Sequence, residues 1–197
     1  MAIAVEHEKR RKEILGKALM VFMDDGFSDA TFQKIADRCG ITRTILYLYF
    51  KDKKEIFKYS IKQFLTSVEE DIKTIKGDNS LNIIEKITRI LLGIMSLMEQ
   101  NRQLLSVVLD YLMHITKSSV DPETRLRHRT VRFRRILANL VIEGVKTGEL
   151  KKVNIKTADD YLYSFIESAI FQITVLKRKN IDDLKDTTVF AVRQFSV

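Results

Sequence analysis

The sequence predicts an all-α fold, and three observations lead to this class. The chain has 197 residues but only one proline and seven glycines, too few to supply the turns of a β-rich protein. Apolar residues recur at spacings of three and four along the long segments, which is the period of an amphipathic helix. Hydrophobic residues make up 45% and charged residues 30%, the balance of a globular protein rather than a disordered chain. We therefore expect helices throughout.

The first four helices are delimited by residues that favour helix ends. Gly26 is positioned to stop the first helix in a left-handed conformation. Thr31 and Thr42 are suited to cap the second and third helices with their hydroxyl oxygens. Asp52 and Glu55 have the spacing of a capping pair at the start of the fourth helix. The predicted ranges are about 6–25, 32–39, 43–50 and 53–76.

Five more helices are predicted after the Gly-Asp-Asn-Ser turn at residues 77–80. This turn is the best candidate for a domain boundary in the chain. Asp121 and Pro122 form a matched start signal, because a side-chain cap is followed by the residue that favours the first helical position. The predicted ranges are 80–99, 102–117, 122–148, 156–179 and 182–195.

Charge and cysteine content limit the partners and the compartment. The net charge is +8, from 34 basic and 26 acidic residues, which is compatible with a polyanionic partner. Cys39 is the single cysteine, so no intrachain disulfide is possible and a reducing compartment is favoured. The N-terminus lacks the hydrophobic core of a signal peptide, and no apolar run approaches the roughly 18 residues that span a bilayer. We expect a cytoplasmic protein without metal or cofactor.

Residues 26–53 are the part of the chain with an identifiable chemical target. Two short amphipathic helices lie on either side of the segment 39–42, which is the layout of a helix-turn-helix. The second helix of this motif enters the major groove of DNA. Its predicted core-facing residues are Ile41, Ile45, Leu46 and Phe50. Its predicted exposed residues are Arg43, Thr44, Tyr47 and Leu48.

The exposed set has side chains suited to DNA. Arg43 can pair bidentately with guanine, and Thr44 can contact a thymine methyl or a base edge. The hydroxyl of Tyr47 suits a phosphate oxygen, as does the ammonium of Lys53 at the start of the fourth helix. Some of these residues also have a purely structural interpretation. Tyr47 and Tyr49 could be core aromatics, and the basic run at residues 9–12 could be a solvated helix end.

Several segments resemble the N-terminal motif of the TetR family of transcriptional regulators. They are Ile35-Ala36, Gly40-Ile41-Thr42, Tyr47-Leu48-Tyr49-Phe50 and Lys53-Lys54, within a similarity that covers about residues 9–57. The resemblance implies a helical homodimer that represses transcription and leaves its operator when a small ligand binds the C-terminal domain. The positions implied to contact phosphate are Thr31, Thr42, Tyr47 and Lys53. The positions implied to face bases are Gln33, Arg43 and Thr44, although the family often has a small residue where Thr44 stands.

The resemblance and the turn signals together predict two domains. Residues 1–52 would form the helix-turn-helix DNA-binding domain, and residues 53–197 a helical ligand-binding and dimerisation domain, with the helix at 53–76 connecting the two. Helices 80–99 and 102–117 are apolar over more than one face and should be buried. Methionines and aromatic residues there could line a pocket for a mostly apolar effector, or they could be plain core. The candidate pocket residues are Phe64, Met95, Met98, Tyr111, His114 and Phe165.

A dimer interface is predicted on the helices at 122–148 and 156–179. The first carries an apolar stripe flanked by arginines, and the second carries small residues among large apolar ones. The predicted interface residues are Phe133, Leu137, Leu140, Gly144, Phe165 and Ala169. The arginine cluster could instead bind nucleic acid or an acidic ligand, but that arrangement would leave the apolar stripe without a partner.

The resulting interpretation is a ligand-responsive DNA-binding regulator, acting as a repressor and a homodimer. One rival is a DNA-architectural protein without ligand response. A second rival is an enzyme that uses the C-terminal cavity. The sequence shows no nucleophile–base–orienter set, Gly-rich phosphate loop or metal-ligand spacing that would support an enzyme.

Overall fold

The computed structural model describes the backbone of residues 2–116 and 123–197, and the side chains of residues 5–112 and 131–197. Within these ranges the chain forms nine helices and no strand, so the all-α prediction is confirmed. The helices are α1 (Ala2–Asp29), α2 (Phe32–Cys39), α3 (Arg43–Tyr49), α4 (Lys53–Gly77), α5 (Ile83–Gln100), α6 (Arg102–Thr116), α7 (Glu123–Thr147), α8 (Ile155–Thr174) and α9 (Asp182–Arg193). No described helix is long and apolar enough to cross a membrane.

The predicted caps of α2, α3 and α4 are confirmed, whereas α1 continues to Asp29 instead of ending near residue 25. Gly26 interrupts α1 with φ 79° and ψ 170°. The hydroxyl oxygens of Thr31 and Thr42 accept hydrogen bonds from backbone N–H groups in the first turns of α2 and α3. At the start of α4 the Asp52 carboxylate accepts from the Glu55 N–H at 2.7 Å. These signals act between neighbours in sequence, which is why the sequence alone reveals them.

Two later boundaries differ from the prediction by three residues or more. Helix α5 begins after Asn82, whose side chain forms a reciprocal capping box with Glu85, rather than at residue 80. Helix α8 ends at Thr174 instead of residue 179, and Lys177 in the following turn has a positive φ of 52°. The predicted cap at residues 121–122 lies outside the described residues.

The contacts divide the chain into two compact units, with a change of unit inside α4. The first contains Met1–Glu70 and Val107–Tyr111, and the second contains Asp71–Ser106 and Leu112–Val197. The functional boundary at residues 52/53 stays a prediction.

The first unit is centred on aromatic side chains. Phe22 and Phe57 meet edge to face with ring centroids 4.9 Å apart, and Phe27 lies 4.6 Å from Tyr111. The hydroxyl of Ser60 in α4 donates to the Leu15 carbonyl of α1 at 2.9 Å. The first turns of α4 are therefore packed against the helix that supports the helix-turn-helix.

In the second unit, α7 packs against α5 and α8 of its own chain. Leu137, Leu140 and Ala169 are at most 1% exposed, and Gly144 is also buried. The prediction that these four residues form a dimer interface is wrong, because their side of each helix is covered within the chain. Phe133 and Phe165 are half-buried, so their part in an interface stays a prediction.

Candidate nucleic-acid interface

The turn between α2 and α3 holds the two helices in a fixed relation. Gly40 adopts φ 68°, and the Ile41 N–H donates to the Ala36 carbonyl at 3.1 Å, a hydrogen-bond pattern that closes the C-terminus of α2. Ile35 and Leu46 are fully buried and fix one side of each helix. The opposite side of α3 must therefore face away from the core.

The outward side of α3 carries most of the predicted DNA-contacting residues. Thr42, Arg43 and Thr44 are exposed, and Tyr47 is 50% exposed. Ile45 is 40% exposed, so its predicted position in the core is wrong. Successive residues of a helix are turned by 100°, and the buried direction of this short helix is occupied by Leu46 instead.

Arg43 and Tyr47 form a connected pair one helical turn apart. The Arg43 guanidinium donates to the Tyr47 hydroxyl at 3.3 Å and lies 5.7 Å from the ring centroid. The Tyr47 ring stacks on Phe32 of α2, with centroids 4.6 Å apart. Because the Tyr47 oxygen accepts from Arg43, its own proton remains available for a phosphate oxygen.

Lys53 is held at the start of α4 by two contacts. Its ammonium donates to the Ser28 carbonyl at 2.8 Å and lies 4.9 Å from the centroid of the Phe27 ring. Burial lowers the pKa of Lys53 from its ordinary value, and nearby Asp29 partly opposes this shift. An ammonium has three donors, so one hydrogen bond to a carbonyl leaves two for a phosphate.

The remaining predicted positions differ in how freely they could reach DNA. Thr31 and Thr42 accept capping hydrogen bonds, which leaves each hydroxyl proton able to donate to phosphate. The Gln33 amide donates to the Asp37 carboxylate at 2.7 Å within α2. The predicted DNA contacts of all seven site residues stay predictions.

Three contacts to aromatic rings near the motif involve the N-terminal part of α1. Tyr49, which the sequence left open as a core aromatic, packs against α1, because its ring stacks on His7 with centroids 4.5 Å apart. The Arg11 guanidinium lies 5.1 Å from the centroid of the Phe50 ring and 4.3 Å from that of Tyr59. Arg11 is therefore a packed cation rather than a fully solvated one, which the charge run alone does not indicate.

Cys39 is a packed side chain. It is 5% exposed, and burial raises the pKa of its thiol although Lys17 and Arg10 act in the opposite direction. Among the residues with described side chains, no group of three or more potential ligands could hold a metal ion.

The predicted pocket residues are found in different environments. Met95 is fully buried with its sulfur 3.8 Å from the Thr188 hydroxyl oxygen. Tyr111 is buried against the aromatic residues of the first unit. Phe64, Met98 and Phe165 are half-buried. The His114 side chain lies outside the described part. The assignment of these residues to a ligand pocket stays a prediction.

A short helix fixed on one side, with exposed cationic and hydroxyl side chains on the other, defines a helix-turn-helix DNA-binding protein. The family model for bacterial regulatory proteins of the tetR family matches residues 14–59. The fatty acid metabolism regulator protein of Bacillus subtilis (strain 168) is 25% identical over 170 residues, covering 83% of this chain and 84% of that protein.

Solved structures share the fold along nearly the whole chain. A TetR/AcrR-family transcriptional regulator from Thermobifida fusca has a TM-score of 0.72 at 22% identity, covering 93% of this chain and 96% of its own. The Bacillus subtilis regulator FadR in complex with stearoyl-CoA has a TM-score of 0.67 at 23% identity, with coverages of 91% and 96%. Residues 14–59, which contain the helix-turn-helix, thus match the tetR family of bacterial regulatory proteins, and the chain shares the fold of solved TetR/AcrR-family regulators.

The replacement Lys53→Ala is expected to weaken DNA binding similarly on all sequences. It should also reduce the slope of log affinity against log salt by about 0.9, because one phosphate contact is lost. Binding titrations at four or more salt concentrations measure both quantities. Lys73→Ala, which removes an exposed lysine near the other end of α4, is the matched control. An unchanged salt slope in Lys53→Ala would remove Lys53 from the phosphate-contacting set.

Proposed function

We propose that this regulator is a homodimeric repressor that leaves its operator when a long-chain acyl-CoA binds. The observation that carries the proposal is the similarity to the Bacillus subtilis fatty acid metabolism regulator, which extends through the C-terminal unit. A protein of the same fold was crystallised with stearoyl-CoA. An acyl chain also fits the expectation of a mostly apolar effector.

The dimer surface we propose is the outward side of α8 and α9. Tyr161 is 46%, Phe171 52% and Phe190 67% exposed, although the opposite sides of both helices are buried. Exposed aromatic residues on neighbouring helices favour a protein partner. A two-fold dimer would cover the same surface on both copies. This assignment retains α8 from the interface predicted on α7 and α8, and it places α9 where α7 was predicted.

The DNA-binding step we propose uses both recognition helices of the dimer. Half-sites one helical turn apart require a separation of about 34–36 Å between the two copies of α3. Helix α4 is continuous and contributes residues to both compact units. A ligand that displaces α4 would change this separation and so weaken binding at one half-site or both.

Stearoyl-CoA is expected to lower the affinity of the dimer for its operator. The operator would first be selected from random DNA with the purified protein, and the complex then titrated by fluorescence anisotropy. A tenfold loss of DNA affinity requires a tenfold weaker affinity of the DNA-bound dimer for stearoyl-CoA, about 1.4 kcal/mol in each direction. Calorimetric titration of stearoyl-CoA into free and DNA-bound dimer measures this reciprocal effect.

Coenzyme A without its acyl chain and stearate without coenzyme A are the matched controls. Neither should release DNA as effectively, since each has only part of the proposed ligand. Binding of stearoyl-CoA without any change in operator affinity would favour a DNA-architectural protein over a ligand-released repressor. Release of free coenzyme A with time would favour an enzyme, and a thiol assay on the same samples detects it.

A further inference from the structure

The side of α3 opposite to its buried residue is apolar. Leu46 is fully buried, and residues two positions before or after it are turned 200° away around the helix. Thr44 and Leu48 are these residues, and both are exposed, Leu48 to 74%. Together they form the outermost row of the recognition helix.

Arg43 and Tyr47 lie beside this row rather than on it. They contact each other, and Tyr47 is stacked on Phe32, which draws the pair toward α2. Ile45, on the other side of the row, is 40% exposed. The three residues Thr44, Ile45 and Leu48 therefore present methyl groups where the helix projects farthest from its core.

A leucine exposed to this degree adds little to the stability of the fold, so the exposed row suits an apolar group outside the chain. The major groove offers one such group on an unmodified base, the C5-methyl of thymine. Arg43 is on the same helix, and Lys53 begins the next one. The outermost row therefore adjoins side chains that suit bases and phosphates. DNA is thus the partner that fits both the charged and the apolar parts.

We propose that Leu48, with Ile45 beside it, reads pyrimidine C5-methyl groups, so that each operator half-site has thymine beneath the outer row of α3. This inference rests on the proposed DNA-binding function and specifies part of its sequence preference. Arg43 and Tyr47 then contact the neighbouring base edge and phosphate. 5-Methylcytosine carries the same methyl group and is the second possible source of the contact.

The test removes single methyl groups from the operator. Each thymine of the DNA selected by the purified protein is replaced in turn by deoxyuridine, which keeps the base pair and deletes only the methyl. At one or two positions in each half-site the affinity of the wild-type protein should fall about three- to fivefold, or roughly 0.8 kcal/mol per methyl. At the remaining thymines the replacement should have little effect.

A double-mutant cycle assigns the methyl contact to Leu48. Leu48→Ala should weaken binding to the thymine operator, and deoxyuridine at the sensitive positions should cause no further loss. Leu48→Met keeps an apolar side chain of similar size and should retain the sensitivity to deoxyuridine. The thermal midpoints of both variants should match that of the wild type because the side chain is exposed, which separates recognition from folding.

The outcomes distinguish this inference from the proposed function. Failure to select any DNA sequence would overturn the proposed function itself. A selected operator whose affinity is unchanged by deoxyuridine at every thymine would overturn the methyl reading and leave DNA binding intact. Equal sensitivity to deoxyuridine in Leu48→Ala and wild type would remove Leu48 from that role. An operator in which 5-methylcytosine–guanine replaces thymine–adenine at a sensitive position should keep most of its affinity for the protein. If this operator binds as weakly as one with unmethylated cytosine at that position, a part of thymine other than its methyl group is read.

Discussion

If the proposed dimer forms through α8 and α9, the replacement Phe171→Asp is expected to convert it into a monomer at micromolar concentration. Phe171 is 52% exposed on the outward side of α8, and a carboxylate there would have to be desolvated on association. Because a monomer engages one half-site at a time, the operator affinity should fall by about 100- to 10,000-fold. Analytical ultracentrifugation measures the association, and an operator titration measures the affinity.

Phe171→Leu is the matched control for this prediction. It keeps the surface apolar, so the variant should remain a dimer and bind its operator nearly as well as the wild type. Circular dichroism should show that both variants keep their helices, because the side chain contributes little to the core of its own protomer. A Phe171→Asp protein that still sediments as a dimer would place the interface elsewhere.

The replacement Gly144→Ala is expected to destabilise the protein by about 1–3 kcal/mol through overpacking. A Cβ at this position would lie 2.5 Å from Cγ of Leu150 and 2.9 Å from Cγ2 of Ile83. Both neighbours are 2% exposed and have little space into which to move. Chemical and thermal unfolding of the purified variant measure the loss, and the thermal midpoint should fall by several degrees.

The replacement Gly93→Ala, also inside a helix, is expected to raise the stability of the protein instead of lowering it. Gly93 lies inside α5, is exposed, and would place its new Cβ in open space. Alanine is favoured over glycine in a helix by about 1 kcal/mol, so this variant should be slightly more stable than the wild type. Equal stability of the two variants would contradict the close packing at Gly144.

The sequence itself determined the helix-turn-helix, because its defining signals are local. Thr31 and Thr42 cap helices through hydrogen bonds to residues three positions away, and Gly40 adopts the left-handed conformation between them. The relation between α2 and α3 depends on these few residues and on the apolar spacing around them. The match of residues 14–59 to a family model reflects the same local pattern.

The orientation of individual side chains on α3 needed the tertiary structure. Ile45 and Leu46 are adjacent apolar residues, and the sequence predicted both to face the core. Only Leu46 does so, because a helix of seven residues that meets its neighbour along one line buries a narrow strip. The exposure of Ile45 and Leu48, from which the thymine-methyl reading follows, is therefore a result of the structure.

Whether the apolar stripe on α7 packs within its own chain or against a second copy was likewise decided by the tertiary structure. A stripe has the same composition whether it packs against another part of its chain or against a second copy, so periodicity cannot distinguish a core from an interface. The chain turns back after Gly148 and places Leu150 on Gly144, where Ile83, 61 positions earlier in sequence, also arrives. Contacts between residues so distant in sequence are set by the packing of whole helices. The sequence determined which residues avoid water, and the tertiary structure decided which of them the chain itself covers.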